Sequence, residues 1–360
     1  MSTQELLARA GRWLAESGIH ESNGGMARYY LADLEKNKPV STEITGYAIS
    51  TYVYLHSLTG DESYLDGATA AADFLVRSAW DPRLRAMPVE PDHCLTYFFD
   101  CGIIVRGLLA IWRETDHEPY RDVALALGRA MARDFAVGDG RYHPILQLPE
   151  KKASAWGQSW SRSPGCYQLK AALGWHDLFE ATGIPLFESL YQEALETTLR
   201  AQAAFLPAQA RTPEERMAVM DRLHAYCYFL EGLLPEAKRE DCARVLCHGI
   251  ALVSCRLREI APLFARSDVY AQLLRLRLLA HNEGAVEIDL SAAREEAEAL
   301  AAFQAEASDL RIDGGFYFGR RGDAVALQVN PVSTAFALQA LTLWESFSSG
   351  TFEPCQQALI

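Results

Sequence analysis

Gly314-Gly315-Phe316 begins a stretch that ends in Asn330-Pro331-Val332-Ser333-Thr334 and runs into an apolar segment, 335–344. Near the other end of the chain, Gly24-Gly25-Met26 leads to Pro39-Val40-Ser41-Thr42 and then to the apolar segment 43–58. Each copy has a glycine turn, an aromatic-rich arm, the tetrapeptide Pro-Val-Ser-Thr and a helix. A repeated unit of this kind rarely buries its own apolar face and implies neighbours of the same design.

Outward from these two copies, periodicity near 3.6 dominates and strand-like alternation is rare. The spacing predicts twelve helices, over 4–17, 43–58, 63–80, 93–113, 120–135, 163–181, 186–205, 214–233, 237–260, 266–281, 292–308 and 335–344. Ser41 or Thr42, Ser163 before Pro164, Thr212 with Glu215, and Ser291 are the expected start signals. The helices alternate between amphipathic, charge-rich segments and segments apolar nearly all round, the latter being the ones that packing surrounds. Long Gly-, Pro- and aromatic-rich connections precede the apolar helices, and short polar turns follow them. Six such pairs closed into a ring would place every apolar helix inside, its N-terminus and the long loops on one rim. The two Pro-Val-Ser-Thr elements, in the first and last pairs, would then meet at the seam. The expected architecture is a single all-α domain spanning 1–360.

The composition narrows the partners. The chain has 360 residues and a formal charge of −13, which disfavours a nucleic-acid backbone or an anionic membrane. No apolar run is long enough to span a bilayer, and the first residues lack a basic and apolar leader pattern. The eight cysteines are scattered without a CxxC pair and read as free, buried thiols of a reducing cytoplasm. Cys242, Cys247 and His248 have poor zinc spacing, so neither a metal nor a cofactor is expected.

The helix-pair pattern resembles the (α/α)6 toroid, or six-hairpin, superfamily. Thr96-Tyr97-Phe98-Phe99-Asp100-Cys101-Gly102 looks like the stretch of unsaturated glucuronyl hydrolases that carries a catalytic Asp before an inner helix, and the resemblance implies a general acid at Asp100. That family's second Asp would fall in 163–168, which holds no carboxylate. Asp221-Arg222-Leu223-His224 is similar to the inner-helix histidine segment of N-acylglucosamine-type epimerases and implies a base at His224. Their second histidine lies on the last inner helix, where this chain has Ser333 and Thr334. The glycine arm also looks like repeats of prenyltransferase and terpene cyclase toroids, but no Asp-rich motif accompanies it.

The residues by themselves leave alternatives. A carboxylate among aromatics, such as Asp100, loses hydration and holds its proton, as a general acid must. Glu43, the first-turn partner, is equally what a helix N-terminus favours without any chemistry. Around them Tyr47, His93, Tyr97, Trp156, Trp160, Tyr167 and Tyr226 supply pocket walls, Arg162 and Arg222 supply cations, and Asn330 supplies a polar rim group. The expectation is a carbohydrate-active protein, a hydrolase or lyase on an acidic oligosaccharide. A sugar epimerase or isomerase and a non-catalytic glycan-binding toroid stay open.

Overall fold

A computed structural model describes residues 3–352 and 359–360. Its internal contacts divide the chain into two units. Unit I comprises His20–Arg28 and Pro39–Ala203. Unit II comprises Met1–Ile19, Tyr29–Lys38 and Ala204–Ile360.

Unit I contains α2 (Thr42–Thr59), α3 (Glu62–Asp73), α4 (Phe98–Thr115), α5 (Glu118–Asp134), α6 (Gln168–Thr182) and α7 (Pro185–Ala201). The apolar helices α2, α4 and α6 form a packed row, and α3, α5 and α7 each cover the helix before them. The row is unusually close because glycines face backbone. A Cβ on Gly46 would lie 3.1 Å from the Ile104 Cα, and one on Gly107 would lie 2.5 Å from the Gly46 carbonyl oxygen. Removing side chains from the contact lets two helices approach nearer than the usual spacing of roughly 8–10 Å.

Unit II contains α1 (Thr3–Glu16), α8 (Pro213–Gly232), α9 (Glu240–Ile260), α10 (Ser267–Asn282), α11 (Leu290–Ala301) and α12 (Pro331–Ser349). Here α10 packs against both α8 and α12, with α9 on α8, α11 on α10 and α1 on α12. Every residue of α10 from Ser267 to Ala280 is buried, its polar members Asp268, Gln272, Arg275 and Arg277 included. The helix that opens the chain thus covers the last inner helix. The strand Tyr30–Leu31 pairs antiparallel with Gln328–Val329, Tyr30 opposite Val329. In α2/α3, α4/α5, α6/α7, α8/α9 and α10/α11 the inner helix comes first and its outer partner follows by a short turn, the reverse of the sequence pairing, and only α12 takes its cover, α1, from the other end of the chain.

Several expected boundaries move. Residues 93–97 are not helical: Leu95–Tyr97 is a strand paired with Ile145–Gln147, and α4 starts at Phe98. Ser163-Pro164 does not start α6, which begins at Gln168 after a turn. The cap of α11 is Asp289, whose side chain accepts from Ala292 N–H, rather than Ser291. The stretch expected as helix 63–80 is α3 plus a π-helical turn, Phe74–Ala79. The capping box of Thr212 and Glu215 forms as read. Cys101, Cys166, Cys227 and Cys242 are buried, but Cys94, Cys247 and Cys255 are exposed, and Cys355 lies outside the described residues.

The two repeat copies superpose in their hydrogen bonds, though in a different register from the shared tetrapeptide. Gly24 and Gly314 both have φ of 89°, the region glycine enters freely. Met26 N–H donates to Thr45 Oγ1 at 2.9 Å, and Phe316 N–H to Thr334 Oγ1 at 2.9 Å. Thr45 Oγ1 donates on to the Ser41 carbonyl, and Thr334 Oγ1 to that of Asn330. Ser41 therefore corresponds to Asn330, and the Pro-Val-Ser-Thr strings are offset by three residues. Glu43 corresponds to Val332 rather than Ala335. Asn330 caps α12 by accepting from Val332 and Ser333 N–H, whereas Ser41 makes no side-chain cap bond.

Candidate active site

Unit I brings Glu43 and Asp100 together. Thr42 N–H donates to the Val89 carbonyl and Thr42 Oγ1 to that of Pro88 (2.7 Å), pinning the start of α2 to the loop ahead of α4. Glu43 is the next residue. Thr96 Oγ1 donates to the Met87 carbonyl at 2.6 Å, which ties the same loop to the strand that ends at Tyr97, the N-cap position of α4. The glycine contact between Gly46 and Ile104 then sets the first turns of α2 and α4 side by side, Glu43 in one and Asp100 in the other.

Asp100 is buried and Glu43 partly so. Burial is the main reason the Asp100 carboxyl holds its proton well above the ordinary carboxylate range. The nearby Glu43 charge adds to the effect, and Arg28 opposes it. Burial likewise pushes Glu43 up to about 7 against the pull of Arg28. Asp100 has no ion-pair partner among the described residues. Arg28, the cation that acts on both carboxyls, reaches across from the glycine arm and donates through Nη2 to Glu90 Oε1 at 3.0 Å. Two carboxyls close to each other and to no paired cation retain a proton at neutral pH, the condition that separates an acid from a base in one site.

Tyr97 borders this pair. Its hydroxyl is held protonated by burial and the Asp100 charge, with Arg162 and Arg28 pulling the other way. Tyr167 is buried, its ring 5.0 Å from Trp160 and 6.1 Å from Phe99, and Asp100 lies within its electrostatic reach. Arg162 is exposed. Trp156, 51% exposed, stands 6.3 Å from the His143 ring. His93 is on the exposed loop, where Nδ1 accepts from Leu95 N–H, and lines a separate groove of about 460 Å³ with Trp80 and Arg83. Tyr47 is buried within α2, one turn beyond Glu43.

Unit II holds a second cluster. His224 on α8 is buried, its Nδ1 2.8 Å from Gln272 Oε1 and 3.5 Å from Asp268 Oδ2 on α10. Burial lowers the affinity of His224 for a second proton, Asp268 opposes this and Arg266 reinforces it. A neutral ring with its Nδ1 hydrogen toward Gln272 leaves Nε2 as the basic nitrogen. Arg266 grips Asp268 through Nε (2.9 Å) and Nη2 (2.5 Å) and reaches Asp221 Oδ1 at 2.5 Å. Burial opposes ionisation of Asp268, but the guanidinium outweighs it and holds the carboxyl below its ordinary range. The Tyr228 ring meets His224 edge-on at 4.4 Å. Arg222 donates to the Phe205 carbonyl at 3.0 Å and lies over its ring, and Tyr226 is buried against the same ring at 6.4 Å. The structure gives Asn330 its capping role.

Sequence reasoning missed Arg28, Glu90, Asp268 and Gln272. Arg266-Ser267-Asp268 carried a signal, a cation and an acid two residues apart at a helix start. Nothing local joins Arg28 to Glu90, 62 residues on.

Solved structures share this fold across nearly the whole chain. A sugar epimerase from a ruminal bacterium is 13% identical, with 95% of this chain and 99% of that chain aligned at a TM-score of 0.68. A D-mannose isomerase is 10% identical over 97% and 98%, at 0.69. An alpha-amylase from Clostridium perfringens is 12% identical over 93% and 97%, at 0.64. The chain has the (α/α)6 toroid fold of these six-hairpin glycosidase-like proteins. Neither a family model nor a curated protein sequence matches it. At such identities the likeness is one of fold, and a fold does not carry an activity with it.

Proposed function

We propose that the protein is a carbohydrate-active enzyme, a hydrolase or lyase of an acidic oligosaccharide, working through Glu43 and Asp100. The observation that carries this is the pair itself: two carboxyls in the adjoining first turns of α2 and α4, both titrating above the ordinary range. In hydrolysis Asp100 gives its proton to the leaving glycosidic oxygen. Glu43, titrating near 7, takes the proton of the attacking water or meets the sugar carbon directly. In elimination the same two groups remove a proton beside a carboxylate and protonate the departing oxygen. Tyr97 and Trp160, the latter packed on the buried Tyr167 ring, present polar-tipped aromatic surface of the kind that stacks on sugar rings. No resident metal or cofactor is invoked.

The test is a screen of uronic-acid oligosaccharides and free hexoses with the wild-type chain, Asp100→Asn and Glu43→Gln. Turnover that survives in Asp100→Asn removes Asp100 from the mechanism.

A second reading has its own support. His224, neutral and oriented by Gln272, is built as a base for proton removal beside a carbonyl, the step of sugar isomerisation and epimerisation. The sugar epimerase and D-mannose isomerase among the fold relatives favour it. In that case free hexoses turn over, solvent deuterium enters the sugar, and His224→Ala rather than Asp100→Asn abolishes the reaction. Sugar binding with no turnover in any of these assays would favour the non-catalytic glycan-binding toroid.

A further inference from the structure

The guanidinium of Arg28 is held in place but scarcely used. Its backbone N–H donates to the Pro39 carbonyl, and Ala27 and Val40 form a bridge beside it, so the arm is fixed at the entry to α2. Its partner Glu90 follows Val89, the residue whose carbonyl accepts from Thr42. The Arg28–Glu90 bridge therefore spans two segments that are both pinned next to Glu43. The Arg28 side chain is 40% exposed, and among the described residues only its Nη2 donates to an acceptor side chain. An arginine has five N–H donors in a rigid fork.

We propose that Arg28 is the specificity-determining residue of the Glu43–Asp100 site and reads a uronate carboxylate on the sugar. The inference takes its sugar ligand from the acid-pair reading. Other candidate cations are committed: Arg106 to Asp177, Arg266 to Asp268 and Asp221, Arg277 to Glu296. Arg162, within electrostatic reach of Tyr97 as Arg28 is, adds a second positive charge. The need for them is physical. A chain of formal charge −13 repels an anionic ligand, and Glu90 beside the pair adds to the repulsion. Two features reduce that penalty: carboxyls that keep their protons, and an arginine fork that a carboxylate can bridge with two parallel hydrogen bonds. A neutral hexose gains no such charge-assisted contact.

The experiment is calorimetric titration of the full chain near neutral pH with D-glucuronate and with D-glucose. It compares wild type, Arg28→Met, Arg28→Lys and Asp100→Asn, each checked for fold by circular dichroism. Glucuronate is expected to bind wild type about tenfold or more tighter than glucose, as a charge-assisted hydrogen bond allows. The preference should vanish in Arg28→Met, survive in part in Arg28→Lys and persist in Asp100→Asn. Equal binding of both sugars by wild type, no glucuronate binding up to about 10 mM, or a preference retained by folded Arg28→Met would each overturn the assignment. Asp100→Asn separates the two ideas. If it keeps full turnover on a uronide while Arg28→Met loses the preference, the acid-pair mechanism fails and the role of Arg28 stands.

Discussion

Asp100 and Asp268 occupy matching places, each buried in the first turn of an inner helix. Their chemistry is opposite. Asp268 is clamped by the fork of Arg266 and stays ionised below its ordinary range. Asp100 lies within the electrostatic reach of Glu43, is opposed only in part by Arg28, and keeps its proton. Burial raises a carboxyl in both places, and the geometry of the nearest cation decides whether the result is a fixed charge or a proton donor. Unit II has used its arginine to build a rigid charge network around His224, and unit I has left a pair that can exchange a proton.

The largest test of this contrast is chemical. Asp100→Asn and Glu43→Gln should each lower kcat/KM about 10²–10⁴-fold on the hydrolase or lyase substrate, as loss of a general acid or base does. Asp268→Asn should leave that activity within a few-fold once folding is allowed for. Steady-state kinetics on the three variants decides it.

Stability should rank them the other way. Asp268→Ala leaves Arg266 buried with Asp221 alone and is expected to cost about 3–5 kcal/mol, the penalty for breaking a buried ion pair. Asp100→Asn should cost under about 1 kcal/mol, because the native group already behaves as a neutral acid. Urea unfolding of both variants measures the difference, and equal losses would erase the distinction.

The two sites should also answer pH with opposite sign. Glu43 keeps its proton up to about 7 in the folded chain but only to about 4.5 in its ordinary state. Between those values the folded chain binds more protons, so its stability falls as pH rises and levels off above about 7. Asp268, held down, contributes stability that is present above the ordinary carboxylate range and lost as pH falls through its lowered value. Thermal melts of Glu43→Gln from pH 4.5 to 7 should lack part of the wild-type decline.

The smallest effect compares the two repeat copies. Asn330→Ala removes a cap with two N–H donors and should cost about 1 kcal/mol, whereas Ser41→Ala, with no cap bond to lose, should cost under about 0.5 kcal/mol.

The helices and their alternation between amphipathic and apolar were readable because periodicity is a property of neighbouring residues. So was the capping box at Thr212, and the repeat itself. Its register was not: a four-residue string recurs by composition, whereas Thr45 and Thr334, which mark true equivalence, bond to residues on the arms. Ser163-Pro164 carried a sound start signal, yet α6 begins later, at Gln168, whose side chain donates to the Tyr142 carbonyl. Asp100 could be singled out from its aromatic neighbours, but Arg28 and Glu90 could not be joined across 62 residues.

By itself the sequence determined that this chain is a set of helical hairpins, which helices are buried on all sides, and that carboxylates stand at the starts of two of them. Those follow from local spacing and from the cost of exposing apolar faces. Only the tertiary structure decided which carboxyl keeps its proton and which is locked as a charge. That depends on distances of a few ångströms between residues far apart in the chain: Gly46 against Ile104, which sets Glu43 beside Asp100, and Arg266 against Asp221, which completes the cage around Asp268.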